Sequence, residues 1–372
     1  MMKHFGPTEL LTDVLQNNFC IGCGACIDLC PYFRSYKGKT AMLFPCTRKE
    51  GRCFAFCPKV EVDLDAISQH LFGTPYDGNS LGSHIAVKMS HAGPRVGKAS
   101  FQAGGTVSAV IKFALDKGYI NGAILTDRDI LNPVPKLVTN SEDVLRCASS
   151  KYTASPTLSA FNKAVHDGYD KLGIVATPCQ AMAIAQMRMN PLAESDFKDP
   201  TGLVVGLFCT WALDYRSFEA FLAQHVDLGR IKKIDIPPPP AEVLEVYLDE
   251  GKLEFPLAEI RAHVPDTCTY CIDMTSEFSD ISVGVMEGRP DMNTLIIRTE
   301  RGQTIVDDAE KDGYLILDDM PDTNLDHLTW AAGNKKKRAL SKACEQQLIN
   351  TSGKEQRAYL RLNVKTLGKI CA

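Results

Sequence analysis

Cysteine is the residue type here most able to do chemistry. The chain holds 14 cysteines, and seven of them fall between Cys20 and Cys57. Cys20, Cys23, Cys26 and Cys30, with Pro31 behind them, spell C-x2-C-x2-C-x3-C-P. At that spacing three thiolates cap three irons of one cubane, and the fourth normally reaches a second cluster. Gly22 and Gly24 allow the tight loop such wrapping needs. Zinc knuckles share the C-x2-C spacing, yet zinc sites rarely use four cysteines this densely before a proline.

This run is similar to that of bacterial ferredoxins, and its partner run is imperfect. Cys53-x3-Cys57-Pro58 repeats the second half. A regular run would put cysteines at 47 and 50, where Thr47 and Glu50 stand, and Cys46 sits one step off. The expected sharing is Cys20, Cys23, Cys26 and Cys57 on one cluster, with Cys30, Cys46 and Cys53 on another. The second is one thiolate short. It would be a [3Fe-4S] centre, or a [4Fe-4S] centre with a carboxylate or another cysteine as fourth ligand. The competing reading is a single cluster with the spare cysteines idle.

The elements that must position these groups read as an α/β protein. The 372 residues suit two or three domains; 45% are hydrophobic, 23% charged, and the net charge is −4. That balance excludes disorder and collagen-like folds, and offers no basic face for nucleic acid. The apolar stretch from about Leu203 to Leu213 is shorter than the ~20 residues of a membrane helix. Residues Met1 to Leu15 lack an apolar signal core, so a soluble, cytoplasmic chain with reduced thiols is expected.

Residues 63 to 99 read as a loop-rich connector punctuated by Gly73, Pro75, Gly78, Gly82 and Gly93-Pro94, with His70, His84 and His91 solvent-exposed. Beyond it, Gly104-Gly105-Thr106 opens an amphipathic helix through Val107, Val110, Ile111, Ala114 and Leu115, closed by Gly118. A glycine pair before a helix is either a simple turn or an anion site. Strands are expected at Gly122 to Thr126, Lys171 to Ala176, Gly202 to Cys209, Ile281 to Val285, Leu295 to Thr299 and Thr304 to Val306, with an Arg301-Gly302 turn. Helices are expected at Pro178 to Met189 and Ser217 to His225. Pro237 to Pro240 reads as an exposed linker or loop, and Lys335 to Arg338 as a solvated surface or a partner contact.

Several short strings then carry a resemblance: Gly104-Gly105-Thr106, Ser150-Lys151-Tyr152-x2-Ser155-Pro156, Thr177-Pro178-Cys179-Gln180, Gly206-Leu207-Phe208-Cys209, and Cys268-x2-Cys271-Ile272-Asp273 running on into Ser279-Asp280-Ile281-Ser282-Val283-Gly284. Over about Gly93 to Leu317 the chain resembles the beta subunit of coenzyme F420-reducing hydrogenases and F420-dependent formate dehydrogenases, a family with members fused to an N-terminal ferredoxin segment. The resemblance implies FAD and a [4Fe-4S] cluster in the main domain. It implies Cys179, Cys209, Cys268 and Cys271 as ligands of that cluster. It sets Gly104, Gly105 and Thr106 against the FAD pyrophosphate, Lys151 and Tyr152 at the flavin or its phosphates, and Thr177 and Gln180 near the isoalloxazine. Cys147, Cys344 and Cys371 match no string and read as structural or idle.

The expected architecture is thus a mixed-sheet α/β flavin domain behind a ferredoxin-like iron–sulfur segment. Residues 1–65 form the ferredoxin-like segment, 66–100 the connector, 101–320 the FAD and [4Fe-4S] domain, and 321–372 a C-terminal helical extension. Two to three clusters and FAD would pass electrons between coenzyme F420 as substrate and a partner redox subunit of a larger complex. That partner would be of formate dehydrogenase, hydrogenase or heterodisulfide-reductase type. No acid–base catalytic pair is identifiable. The alternatives are a flavin oxidoreductase subunit linked to NAD(P)H or ferredoxin, and a pure electron relay without its own substrate. The chain has no G-x-G-x-x-G, which weakens a conventional nicotinamide site.

Overall fold

A computed structural model describes residues 4–129, 131–192, 198–237, 241–353, 357 and 359–372. Most of the proline run read as a linker, residues 238–240, lies outside the described residues.

Eight strands make the central sheet: β1 Ala86–Ala92, β2 Gly122–Asp129, β3 Asn132–Val138, β4 Leu172–Ala176, β5 Thr201–Leu207, β6 Ile281–Met286, β7 Arg289–Ile297 and β8 Leu315–Asp319. Their spatial order is β8-β1-β7-β6-β5-β4-β2-β3. β2, β4, β5 and β6 pair in parallel, and the remaining pairings are antiparallel. The parallel strands are continuous apolar runs such as Leu203-Val204-Val205, because helices cover both faces. The edges follow the usual rule. β3 carries Pro133 and Pro135, which have no N–H to give a neighbour, and β8 ends on Asp318 and Asp319, with Asp319 meeting Lys88 of β1 at 2.8 Å.

Three stretches depart from the sequence reading. The connector holds a helix, Leu64–Phe72, capped by Asp63, and the interior strand β1. Its pattern, Ala-Val-Lys-Met-Ser-His-Ala, mixes polar residues into the strand and hides the signal. His70 on that helix and His84 are exposed as expected, while His91 is half-buried on β1. Thr304 to Val306 belongs to the helix Glu300–Lys311, so Arg301-Gly302 is not a hairpin turn. There Ile305, Val306 and Ala309 form one inward stripe, and Thr299 caps the start. Between β5 and β6 the chain also builds a small antiparallel sheet of Lys233–Asp235, Val243–Leu248 and Gly251–Pro256. It packs on the helix Tyr215–Ala223 through Phe218, Leu222, Leu244 and Val246.

The N-terminal segment has its own small core of Leu10, Val14, Ile27, Phe33, Phe54 and Val60. A second apolar cluster joins its Ala25, Ala55 and Phe56 to Ile124, Leu172, Ile174 and Ile184 of the main layer. The C-terminal stretch closes over both. Its long helix Asp322–Glu345 buries Ala339 and Leu340 against Val62, Leu64 and Ile67, and Leu360–Arg361 pairs in parallel with Val62–Asp63.

Candidate functional site: three groups of thiols

The loop that carries the first cysteines is held by close backbone packing. Gly22 and Gly24 have φ of +66° and +85°, and a Cβ would fall 2.2 Å from the Gly38 carbonyl oxygen or 2.6 Å from that of Pro156. The Leu158 N–H donates to Cys23 O at 3.0 Å, and Asn162 Nδ2 donates to Ala25 O and Ile27 O. The segment is therefore pinned to the helix Thr157–His166, which runs beside β2 and β3.

All fourteen cysteines are free thiols. Their mutual influence sorts eleven of them into three groups. Burial pushes the Cys26 thiol well up, and Cys20 and Cys57 raise it further. Cys57 is pushed up to about 12, by burial and then by Cys20. Cys53 is pushed up to about 11 by burial, with Cys30 and Cys46 adding to it. In the main layer, burial lifts Cys179 to about 11 and Cys209 higher still, and each also feels Cys268 and Cys271. Burial raises Cys268 as well. Cys23 links two groups: after burial, both Cys57 and Cys179 raise it.

The main group forms at the carboxyl ends of parallel strands, where open α/β sheets present their ligand sites. Cys179 lies on the first turn of the helix Pro178–Met189, just past β4, with its Sγ 3.2 Å from Thr177 Oγ1. Cys209 follows β5, and its N–H donates to Met274 O at 2.9 Å, which draws in the loop holding Cys268 and Cys271.

Two buried lysines face these sulfurs. Lys59 donates to Thr267 O at 3.3 Å and to Tyr359 Oη at 3.2 Å. Burial opposes its charge, but Tyr359, Cys271 and Cys268 outweigh that and hold the ammonium above its ordinary range. Lys335 donates to Cys209 O at 2.7 Å and Asp273 O at 2.8 Å, and the same thiols outweigh its burial. Lys335 and Lys336 are 7% and 1% exposed, whereas Lys337 and Arg338 are exposed, so only the second half of the basic run faces solvent. Lys336 lies 2.8 Å from Glu277 Oε1 in a buried network with Tyr76, Asp273 and Arg298.

These surroundings fit iron–sulfur clusters. Buried thiols ionise at a cost that iron and nearby ammonium groups offset. Backbone N–H groups also aim at sulfur, as at Gly22 N to Cys20 Sγ at 3.4 Å. Among the described residues no three Cys, His, Asp or Glu side chains converge on one ion. A four-iron cluster does not require that, because each thiolate binds its own iron.

Of the residues expected at a flavin, Lys151, Tyr152, Thr177 and Gln180 gather at segment 150–156, while Gly104, Gly105 and Thr106 pack against Phe101, Ser90 and Asn293. Tyr152 Oη meets Gln102 at 3.3 Å, two residues before Gly104, and accepts the Ile236 N–H at 2.9 Å. Gln180 Nε2 donates to Ser155 O at 2.9 Å, and its Oε1 accepts the Thr177 N–H in a capping box. Lys151 Nζ turns onto the carbonyls of Cys147, Ala148 and Ser149, and burial lowers it to about 8. Thr106 N donates to Asn293 Oδ1 at 3.2 Å. A Cβ on Gly105, where φ is +83°, would lie 2.8 Å from the Phe101 ring, so glycine is required there whatever it binds.

Sequence reasoning missed Lys59, Lys335 and Tyr359. Signals existed for the lysines: Lys59 directly follows Cys57-Pro58, and Lys335 shares a helical stripe with Ala332, Ala339 and Ala343.

Comparison with known proteins meets this arrangement over the same residues. The coenzyme F420 hydrogenase/dehydrogenase beta subunit N-terminal family matches residues 96–162, and the corresponding C-terminus family matches 169–323. A coenzyme F420-dependent sulfite reductase of Methanocaldococcus jannaschii is 32% identical over 81% of this chain, which spans 47% of that relative's length. A coenzyme F420 hydrogenase subunit beta of Methanothermobacter thermautotrophicus is 30% identical over 63% of this chain and 84% of its own. A chain of the F420-reducing [NiFe] hydrogenase complex from Methanosarcina barkeri superposes with a TM-score of 0.65 at 27% identity, covering 72% of this chain and 93% of that one. The matched span contains the strands and loops that gather Cys179, Cys209, Cys268 and Cys271, and on it the chain belongs to the coenzyme F420 hydrogenase/dehydrogenase beta subunit family.

Proposed function

We propose that the chain is an iron–sulfur flavoprotein subunit that moves electrons between coenzyme F420 and a partner redox subunit of a larger complex. The observation that carries this reading is the succession of thiol groups. Cys30, Cys46 and Cys53 neighbour Cys20, Cys26 and Cys57, and Cys23 meets Cys179 of the main group. FAD would exchange a hydride with the deazaflavin, and clusters would carry single electrons.

In this reading Cys179, Cys209, Cys268 and Cys271 hold one [4Fe-4S] cluster and Cys20, Cys23, Cys26 and Cys57 another. Cys30, Cys46 and Cys53 hold a third of incomplete cysteine ligation. Gly104, Gly105, Thr106, Lys151, Tyr152, Thr177 and Gln180 lie on the flavin. Lys59 and Lys335 keep positive charge beside the main-group thiolates. Lys59 also ties the N-terminal segment to the loop of Cys268 through Thr267 O. The proposed units are those of the sequence reading: 1–65, 66–100, 101–320 and 321–372. The connector supplies a strand to the sheet of the third.

The test is anaerobic bleaching of flavin absorbance by reduced F420, NADH or NADPH. Bleaching by reduced F420 alone is expected; bleaching by a nicotinamide alone would replace the substrate. One observation favours a second reading, a relay without its own flavin. Lys151 Nζ, Tyr152 Oη and Thr106 N are each bonded within the chain. Absence of flavin absorbance from protein purified with full iron would establish it.

A further inference from the structure

Residues 31–52 do not share the charge of the whole. Six basic side chains stand there against one acidic residue, Glu50, in a chain of net charge −4. The segment is a hairpin, Phe33–Tyr36 with Lys39–Met42, and the irregular stretch that leads from it past Cys46. Phe33 turns inward at 1% exposure and anchors the hairpin in the segment's core. What remains outside is unusual for a soluble surface. Tyr36, Leu43 and Phe44 are 64%, 50% and 59% exposed. The Leu43 N–H donates to Tyr32 O at 2.7 Å and Phe44 leans on Tyr32, so the open end of the hairpin is held in place, while Tyr36 stands at its turn opposite Lys39. Arg34, Arg48 and Lys49 are exposed as well, and Arg34 stands between Tyr36 and the Leu43 end along the hairpin.

The position of the patch gives it a purpose. Cys46 sits between Phe44 and Arg48, half-buried, and it acts on the Cys53 thiol together with Cys30. This thiol group is the one farthest along the succession from the main-layer site. An electron carrier protein must bring its centre close to such a group while binding weakly enough to leave. Redox encounters use small interfaces, under about 1,200 Å² in total, with a few apolar contacts inside a charged rim. Opposite charge on the two rims speeds encounter and sets orientation.

We infer that Tyr36, Leu43 and Phe44, interspersed with Arg34, Arg48 and Lys49, form the docking surface for the acidic face of a one-electron carrier protein. The inference deepens the proposed function and rests on its assignment of an iron–sulfur group to Cys30, Cys46 and Cys53. Aromatic contacts would supply the dry centre, and the arginines and lysine would meet carboxylates.

The experiment uses the full chain with its clusters and a small acidic bacterial ferredoxin as probe, with binding measured by calorimetry across a salt series. For the unaltered chain, affinity should fall steeply as salt rises. The triple variant R34E/R48E/K49E should bind at least about tenfold more weakly at low salt, with a flattened salt dependence, since like charges then face each other. Phe44→Ser, a milder change at an exposed site, should weaken binding with the salt slope retained. Iron content and reduction by benzyl viologen, which needs no docking, should be unchanged in both. Equal ferredoxin affinity in the variants would overturn the inference. So would equally tight binding of basic cytochrome c, or binding of heparin that matches ferredoxin and ignores Phe44→Ser. Concentration-dependent dimers abolished by Phe44→Ser would assign the patch to a second copy of this chain and also overturn it. Loss of F420-dependent flavin bleaching with ferredoxin binding intact would sink the proposed function and leave the docking surface standing.

Discussion

The N-terminal thiols and the main-layer thiols are made in opposite ways. Seven N-terminal cysteines lie within 38 residues, on loops before and after a small hairpin and on the short helix Arg52–Ala55. The four main-layer cysteines come from strings separated by up to 92 residues and meet only because the carboxyl ends of β4 and β5 and the loop before β6 lie together at one end of the parallel strands. The first arrangement writes its chemistry into local spacing and borrows rigidity from its neighbours. The second writes its chemistry into the fold, and its spacing alone says little. The difference teaches where each should fail.

Removing one main-layer thiol should do most damage. Cys268→Ser or Cys271→Ser is expected to cost one cluster, about four irons of a total of about eight to twelve per chain. N-terminal signals in paramagnetic resonance should remain. Full iron with unchanged electron transfer would show that these residues are not ligands.

Lys59 belongs to both regions, so its loss should blur the contrast. Lys59→Met strips a buried ammonium from Tyr359 and from the Cys268 and Cys271 thiols. Breaking such a buried arrangement costs about 3–5 kcal/mol. The denaturant midpoint should fall, and the main-layer potential should become more negative because stabilising positive charge is gone. A variant as stable as the parent would mean Lys59 is not charged there.

A third expectation tests rigidity behind the main layer by pH. Burial raises the Glu277 carboxyl from 4.5 to about 7, against the opposing pull of Lys336. A raised acid holds its proton longer when folded than unfolded, so the folded state binds more protons across that window. Stability should therefore decline as pH climbs from about 4.5 to about 7. Glu277→Gln should flatten this decline, and thermal melts of the two proteins at several pH values measure it. An identical slope in the variant would assign the titration elsewhere.

The smallest effect concerns the imperfect run. Seven cysteines cannot fill eight ligand places, and Glu50 stands where a regular run has a thiolate. Two N-terminal signals of different potential are expected, since ligand identity helps to set it. Two indistinguishable [4Fe-4S] signals would contradict the sharing.

These contrasts also explain what was legible in the sequence. β4, β5 and β6 could be read because strands buried on both faces are continuous apolar runs. The helix Pro178–Met189 announced itself by proline at its first position behind Thr177. β1 could not be read, since its own pattern mixes polar with apolar residues and its partners β7 and β8 lie about 200 residues away. Thr304-Ile305-Val306 misled because three β-branched residues in a row look like a strand, and only tertiary burial of Ile305, Val306 and Ala309 makes them helical. Lys335 and Lys336 were misjudged because charge suggests solvent, and their partners sit on other elements. The cysteine spacing was plain, whereas the convergence of four distant thiols had to come from resemblance.

The closure of Leu360–Arg361 on Val62–Asp63 has a consequence in time. Arg361 Nε also reaches Glu61 at 2.8 Å, so the N-terminal segment completes its frame only with residues made 300 positions later. At about 5–20 residues per second, that is roughly 15 to 60 s of synthesis. Throughout it the early cysteines are outside the finished structure, with only their own loop to hold them in place. The order of assembly is thus the reverse of the order of reading: the cysteine loop that is first to emerge is among the last parts to be locked.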